Sequence, residues 1–267
     1  MTLAKTLYRV PRQEGLHVLQ QRGQVAEELT SYRLRLSPGQ SATYESGDDE
    51  AILILQDGRG ALEYGVERVG VARDGGVFRG PATALYLPPG HSVTATGGDG
   101  ERVFEAILVA TPAPSGGEPL LIRPEDVEIL ERGRGDYTRT IHNLLVSDTH
   151  ARRLLVGETF NHPGKWSSFP PHKHDGRDGE PRLEEVYHYR VDPPTGFGQQ
   201  LLYTADGESV SHTVRDGDAV VLPYGYHPVA APPGHRVYYL WALSGEERRL
   251  VVYEDPAFRW LHDVTDG

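Results

Sequence analysis

Three histidines and one glutamate in the second half of the chain have the types and the order of metal ligands. They are His172, His174, Glu185 and His227, and the last follows the turn Pro223-Tyr-Gly225-Tyr. Neutral imidazole nitrogens and an ionised carboxylate bind divalent cations and leave coordination positions open. The pattern therefore predicts a divalent metal site.

The strand periodicity of these segments allows the histidines to share one ion. Side chains at positions i and i+2 of a strand point to the same side, so His172 and His174 can converge while Lys173 points away. His227 follows a turn in which Gly225 permits a close backbone approach and Pro223 ends the strand. We expect two strands and a turn to assemble the site.

Among the nearby carboxylates, Glu185 is the preferred ligand. It opens an alternating segment in which Tyr187 and Tyr189 share its face, whereas Glu184 points to the opposite face. Glu180 lies in a charged loop that contains glycine. The histidines that lack a partner at ligand spacing are interpreted as surface or hydrogen-bonded residues: His91, His142, His150, His162, His188, His212, His235 and His262.

The elements that must position these residues are predicted to be strands. No long segment carries apolar residues at a 3.6-residue spacing, so the chain is predicted to be all-β, a sandwich or a barrel. Two short helical pieces are expected at Pro124–Leu130 and Pro256–His262. The predicted strands are 51–55, 83–87, 102–110, 154–160, 186–190, 199–203, 219–222, 237–243 and 249–253.

The chain divides into two halves of similar strand content. The Pro- and Gly-rich stretch that starts at Thr111 indicates a linker or an exposed turn. Leu85-Tyr-Leu-Pro-Pro-Gly-His91 in the first half resembles Val221-Leu-Pro-Tyr-Gly-Tyr-His227 in the second. This echo predicts a duplicated β unit.

Composition restricts the function classes. The chain has 267 residues with 38 acidic and 27 basic side chains, a formal net charge of −11, which disfavours nucleic acids and anionic membranes as partners. It contains no cysteine, so a metal site must use histidines and carboxylates. The start MTLAKTLYRVPRQ has no apolar leader segment, and a cytoplasmic location is expected.

The motifs resemble those of the cupins. Gly217 to His227 is similar to the second cupin motif with one residue fewer before the histidine, and ten residues separate His174 from Glu185 in the first. Several strings resemble, more specifically, the 5-deoxy-glucuronate isomerase family of myo-inositol catabolism. They are Trp166-Ser-Ser-Phe-Pro-Pro-His-Lys-His-Asp175, Leu183-Glu-Glu-Val-Tyr-His-Tyr-Arg190, Pro194-Thr-Gly-Phe-Gly198, Gly133-Arg-Gly-Asp-Tyr-Thr-Arg139 and Asp255-Pro-Ala-Phe-Arg-Trp260.

The resemblance implies a bicupin, with two double-stranded β-helix (jelly-roll) barrels and minor short helices. Residues 1–115 would form an N-terminal cupin-like barrel without metal, and residues 116–267 a C-terminal barrel with the metal and the active site. In the first half, Tyr44, Ser46, Glu50 and His91 are expected at the positions parallel to the ligand set.

The resemblance also implies an aldose–ketose isomerisation of 5-deoxy-glucuronate to 2-deoxy-5-keto-gluconate, in which a divalent metal stabilises an enediolate. Zinc is the expected metal, with manganese, iron or nickel as alternatives. Tyr187 and Tyr189 are the candidate catalytic residues, although His188 is also close and the general base is left unassigned. Candidate substrate-binding residues are Lys165, Trp166, Arg182 and Arg190, and Arg139 is a more distant option for the substrate carboxylate.

Three other functions stay open. The related ketol-isomerase of pectin degradation, which acts on 4-deoxy-5-hexosulose uronate, shares the Glu-Val-Tyr segment. A cupin dioxygenase would use the same ligands and consume oxygen, and a non-enzymatic cupin would bind a sugar without converting it. The predicted partner is a small deoxy-uronate; the sequence leaves the oligomeric state open, with a homo-oligomer as one option.

Overall fold

A computed structural model describes residues 2–99, 102–147 and 149–263, and its elements are mainly β-strands. Runs that combine branched or aromatic side chains with two-residue alternation form these strands, and glycine and proline pairs end them. In the described residues the strands are β1 (Leu7–Tyr8), β2 (Gly15–Gln20), β3 (Thr30–Leu36), β4 (Ser41–Glu45), β5 (Asp49–Tyr64), β6 (Glu67–Arg73), β7 (Ala84–Leu87), β8 (Ser92–Gly97), β9 (Phe104–Pro112), β10 (Leu120–Ile122), β11 (Glu128–Arg132), β12 (Arg139–Leu145), β13 (Leu154–Asn161), β14 (Trp166–Ser167), β15 (His172–Lys173), β16 (Glu184–Asp192), β17 (Gly198–Tyr203), β18 (Ser209–Val214), β19 (Ala219–Leu222), β20 (Val229–Ala230), β21 (Arg236–Ser244) and β22 (Tyr253–Glu254).

The strands form antiparallel sheets in two halves. A nine-stranded sheet of the first half is built on the long strand β5, which pairs with β7 and β9 and, further along, with β6 and β8. A seven-stranded sheet of the second half has the order β1-β19-β16-β21-β13-β12-β11. The second half also contains the sheet β14-β20-β17-β18 and the pair β15-β22. The all-β prediction is confirmed.

Each half contributes one edge strand to the large sheet of the other half. β1, from the start of the chain, pairs with β19 of the second half, while β10 pairs with β7 of the first half. The predicted division between residues 115 and 116 falls in the connection from β9 to β10, so β10 lies on the N-terminal sheet. The division into two units stays a prediction.

Apolar side chains form three buried clusters. One fills the interior of the first half and includes Leu53, Leu85 and Phe104. A second packs the two large sheets against each other and includes Ile52 of the first half and Leu240 of the second. The third lies inside the second half, where it leaves space for a cavity. The second half is therefore the part of the described chain in which we look for a ligand-binding site.

The helices in the described residues are short 3₁₀ segments, at Leu3–Lys5, Val77–Arg79, Pro124–Asp126, Gly135–Tyr137 and Pro256–Asp263. The predicted C-terminal helix is confirmed. The helix predicted at 124–130 is wrong beyond Asp126, since β11 follows as an edge strand paired with β12. No helix in the described ranges qualifies as a membrane span.

Candidate metal centre and active-site cavity

The four predicted metal ligands come together inside the second half. Glu185 Oε2 lies 3.0 Å from His174 Nε2 and 3.5 Å from His227 Nε2. The ring centroid of His227 lies 4.9 Å from that of His172 and 5.0 Å from that of His174. His174, Glu185 and His227 offer ligand atoms within 4.8 Å of one another, and His172 lies beside them. This cluster could bind a metal ion.

Different strands deliver these side chains, as their sequence spacing predicts. His172 begins β15, His174 follows that strand, and Glu185 lies on β16 between β19 and β21. The turn before His227 requires Gly225, whose φ is 84° and where a Cβ atom would lie 2.6 Å from the carbonyl oxygen of Tyr203. The predicted close backbone approach is confirmed.

Hydrogen bonds orient the three imidazoles in the same way. In each ring the Nδ1–H group donates to a backbone carbonyl, which leaves Nε2 as the lone-pair nitrogen available to a cation. Nε2 of His227 is buried and has no hydrogen-bond partner among the described residues. The Nδ1 contacts are His172 to Pro170 O at 3.2 Å, His174 to Leu183 O at 2.7 Å and His227 to Gly225 O at 3.0 Å. The donors fit a metal ion.

The protonation of the imidazoles follows from their burial. Burial, reinforced by a neighbouring imidazole, lowers the pKa of His172 and of His227 to about 3, so both rings are neutral at physiological pH. Burial alone would lower the pKa of His174, but the hydrogen bond and the charge of Glu185 raise it above the ordinary value. A cation at this position would replace the proton that His174 shares with Glu185.

Three members of the cluster, His172, His174 and Glu185, lie in the wall of a cavity of 590 Å³, and His227 is not part of that wall. Cavities of this size accommodate small-molecule ligands such as a sugar acid. The residues that share the wall with the cluster include polar, aromatic and aliphatic side chains: Arg132, Arg134, Tyr137, Arg139, Thr159, Ser168, Phe169, Tyr187, Tyr239, Trp241, Leu250, Val252, Glu254 and His262.

Tyr187 lines this cavity, whereas Tyr189 is not part of its wall. The Tyr187 hydroxyl lies 3.1 Å from Ser168 Oγ, and its ring stacks on Tyr239 with centroids 4.4 Å apart. Tyr189 donates a hydrogen bond to Gln200 in the interior. Burial raises the pKa of both tyrosines well above the ordinary value. Neither hydroxyl is therefore suited to accept a proton at neutral pH.

The predicted substrate-binding residues lie outside the wall of the main cavity. Lys165 donates to the carbonyl of Gly135, and Trp166 packs on Phe169 beside a smaller cavity of 260 Å³. Arg182 pairs with Glu27 on the surface.

Arg190 belongs to an ion-pair cluster at the junction of the halves, where it contacts Glu105 at 3.0 Å and Asp216 at 2.9 Å. The alternation of β16 explains this position: Arg190 points away from Glu185, toward the other half. The structure thus brings neither Arg182 nor Arg190 to the candidate metal site.

Arg139 does reach the cavity. Its Nη1 group donates to the carbonyls of Phe169 at 3.1 Å and Tyr137 at 3.4 Å, and no carboxylate of the described residues forms an ion pair with it. Gly133, with φ of 80°, gives it room, because a Cβ there would lie 2.8 Å from Arg139 Nη1. Burial lowers the pKa of this guanidinium, which nevertheless stays charged. The cavity therefore contains a positive charge without an acidic partner.

In the first half, the position parallel to the ligand Glu185 belongs to Ala51. Glu185 pairs with Leu222 and Leu243, and Ala51 pairs in the same way with Leu87 and Ala110. Glu50 was expected at the position parallel to the ligand set, and this prediction was wrong by one residue. On a strand, a shift of one residue places the side chain on the opposite face.

Sequence reasoning missed part of the cavity. Glu254 and His262 come from the C-terminal segment, and Tyr239 comes from a strand far along the chain. His262 was interpreted as a surface or hydrogen-bonded histidine, and it does bond to Glu254, but it also lines the cavity. The family string Asp255–Trp260 lies between these two residues and was the one signal for this segment.

Solved structures with a similar fold define the class of the protein. The chain aligns with an oxalate decarboxylase of Bacillus subtilis at a TM-score of 0.65 and 14% identity, over 99% of this chain and 83% of the other, which shows the fold alone. An IolB-like protein of Salmonella typhimurium LT2 aligns at a TM-score of 0.90 and 30% identity, over 97% and 99% of the two chains. The described residues thus have a cupin-like β fold, with a candidate metal centre formed by residues that follow β14.

Sequence comparisons identify the family. The model of the KduI/IolB family matches residues 7–261. The 5-deoxy-glucuronate isomerase of Geobacillus kaustophilus is 35% identical over 263 residues, which cover 94% of this chain and 92% of the relative. The protein of that name in Bacillus subtilis strain 168 is 36% identical over 237 residues, 85% of each chain. The chain belongs to the KduI/IolB family.

Proposed function

We propose that this chain is an aldose–ketose isomerase that converts 5-deoxy-glucuronate to 2-deoxy-5-keto-gluconate in myo-inositol catabolism. One observation carries the proposal: three residues of the candidate metal cluster, His172, His174 and Glu185, line the same cavity as the guanidinium of Arg139, which has no acidic partner among the described residues. A deoxy-uronate has the matching groups, an aldehyde next to a hydroxyl at one end and a carboxylate at the other. The names of the relatives that match most of the chain agree with this substrate.

His172, His174, Glu185 and His227 would hold one divalent cation, and zinc is the metal we expect, with manganese, iron or nickel as alternatives. The bound cation would supply positive charge next to the oxygens on which an enediolate develops negative charge. The protein's own contribution is to hold His174, Glu185 and His227 with their ligand atoms within 4.8 Å of one another and His172 beside them.

For the substrate carboxylate we propose Arg139 as the anchor, in place of Arg182 and Arg190. A guanidinium binds a carboxylate through two parallel hydrogen bonds, and Arg139 keeps donors that no acidic side chain of the described residues uses. Arg182 and Arg190 already pair with acidic groups. We therefore expect the carboxylate end of the substrate near Arg139.

Tyr187 is proposed to donate a hydrogen bond to a substrate oxygen. Its raised pKa keeps the hydroxyl protonated, and Ser168 holds its position. Thr159 lies on the same wall and offers a second hydroxyl.

The decisive experiment is to incubate the purified protein with 5-deoxy-glucuronate and, separately, with 4-deoxy-5-hexosulose uronate, and to follow the products by NMR. Conversion of the first substrate alone is the expected result. Preference for the second would assign the sister activity of pectin degradation, and oxygen uptake during turnover would assign a dioxygenase. Tight binding of both without conversion would contradict an enzymatic function.

A further inference from the structure

The last described residues before position 264 form part of the cavity wall. We call residues 249–263 the C-terminal strap. Its strand β22 pairs with β15, so that Glu254 lies opposite His172 in the ladder. Leu250, Val252 and Glu254 alternate along the strap and face the cavity. The 3₁₀ helix Pro256–Asp263 then turns the chain back, and His262 reaches the same wall.

Within the strap, His262 and Glu254 form a hydrogen-bonded pair. His262 Nε2 lies 2.6 Å from Glu254 Oε2. A carboxylate that accepts the N–H of one ring nitrogen fixes the tautomer and leaves the other nitrogen as a proton acceptor. In the part of the chain that the structure describes, Nδ1 of His262 has no hydrogen-bond partner. The strap therefore orients the imidazole, and Nδ1 is available to accept a proton.

Several other titratable groups of the wall are poor candidates for carrying a proton, and Glu254 is bound to His262 itself. His172, His174 and Glu185 belong to the candidate metal centre, and burial raises the pKa of Tyr187 and Tyr239. Arginine side chains stay protonated and cannot accept one. Enolisation of a hydroxy-aldehyde nevertheless requires a base next to the reacting carbon. Histidine is the side-chain type suited to this transfer at neutral pH.

We propose that His262 transfers the proton between the two substrate carbons and that Glu254 positions its ring, an inference that rests on the proposed isomerase function. His262 Nδ1 takes the proton from the carbon that bears the hydroxyl next to the aldehyde. The electron pair of that C–H bond forms the carbon–carbon double bond of the enediolate, and the carbonyl electrons move to oxygen. The imidazolium then returns the proton to the former aldehyde carbon.

The hydroxyl proton passes between the two oxygens in the same cycle, so substrate and product have the same composition and no oxidant or reductant is needed. The pair His262 and Glu254 thus starts and ends each turnover in the same protonation state. Because the returned proton can exchange with solvent while it resides on the imidazole, turnover in D₂O should label the former aldehyde carbon.

The test compares His262→Gln, Glu254→Gln and the surface control His17→Gln in turnover, in deuterium incorporation from D₂O and in metal content. His262→Gln should lower kcat by about 10²- to 10⁴-fold with unchanged metal content. Added imidazole should restore part of the rate of His262→Ala. Glu254→Gln should lower kcat less and displace the acidic limb of the pH profile, whereas His17→Gln should behave as wild type.

The outcomes separate the two proposals. A wild-type protein that neither converts nor labels a deoxy-uronate overturns the isomerase function and the role of His262 together. A wild-type rate that His262→Gln retains within about twofold overturns the role of His262 alone. A third outcome is that His262→Gln loses its metal or its folded state and that imidazole does not restore the activity of His262→Ala. This outcome would show that His262 has a structural role, and it would also overturn the proposal.

Discussion

Glu50 and Glu184 occupy parallel positions in the two halves, and each accepts backbone hydrogen bonds from the opposite half. Glu50 accepts from the amides of residues 152–154 at 2.7–2.8 Å. Glu184 accepts from the amides of residues 27–29. Their strand neighbours Thr111 and Ser244 meet across the junction, with Oγ1 and Oγ 2.8 Å apart. A glutamate at the same strand position in each half thus holds the two halves together at their junction.

This reciprocity predicts a stability effect. Glu50→Gln and Glu184→Gln should each lower the free energy of unfolding by about 1–3 kcal/mol, because an amide cannot accept from three backbone N–H groups as a carboxylate does. Urea denaturation measures the effect, and the exposed Glu45→Gln in the first half is the control. Wild-type stability in both variants would show that the amides find other acceptors.

The candidate metal centre predicts that each chain binds one divalent metal ion. His174→Ala, and the double replacement of His172 and His174 by Ala, should abolish metal binding and activity while the β-sheet circular dichroism signal stays, since the core lies elsewhere. Elemental analysis after dialysis measures the ion, and His17→Ala is the matched control. Full activity of the chelated double variant would refute the assignment.

His188 predicts a pH dependence of stability. Burial lowers its pKa from 6.5 to about 3, and neither ring nitrogen has a hydrogen-bond partner among the described residues. Between these two values the unfolded chain binds a proton that the folded chain does not. The free energy of unfolding therefore falls as the pH falls through this window, by about 1.4 kcal/mol per pH unit from this residue.

Replacement of His188 by Leu should remove this contribution. Between pH 6.5 and pH 5 the variant should lose about 2 kcal/mol less stability than the wild type. Urea titrations at the two pH values provide the measurement, with the half-buried His17→Leu on β2 as control. Parallel losses in the wild type and His188→Leu would mean that the ring is protonated in the folded protein.

Arg139 predicts a selective loss of affinity. Arg139→Gln should raise KM for the uronate by about 10- to 100-fold, because a charge-assisted hydrogen bond contributes about 1.5–3 kcal/mol. The KM for the uncharged amide of the same sugar should change little. The control is Arg59→Gln, which removes the exposed ion pair between Arg59 and Asp74 in the first half. An equal rise in KM for the acid and the amide would indicate a general distortion of the cavity.

Most of the candidate metal cluster could be predicted from sequence, because its residues lie on alternating strands and at a glycine turn, where local rules determine the direction of a side chain. The cavity wall could not. Strand alternation already places Arg190 on the face of β16 opposite Glu185, but only the sheet order brings Arg139, on β12, to the cavity. His262 was equally hidden, since its position depends on the pairing of β22 with β15, which are distant in sequence.

That pairing also sets the time at which the site can be completed. β15, which carries His172, has β22 as its only strand partner in the described residues. The stretch from β16 to β21 separates these two strands in sequence, so their pairing is a long-range contact that should form after the local hairpins. The candidate ligand His172 therefore gains its strand neighbour only when the C-terminal strap docks. Metal binding should accordingly depend on a docked strap.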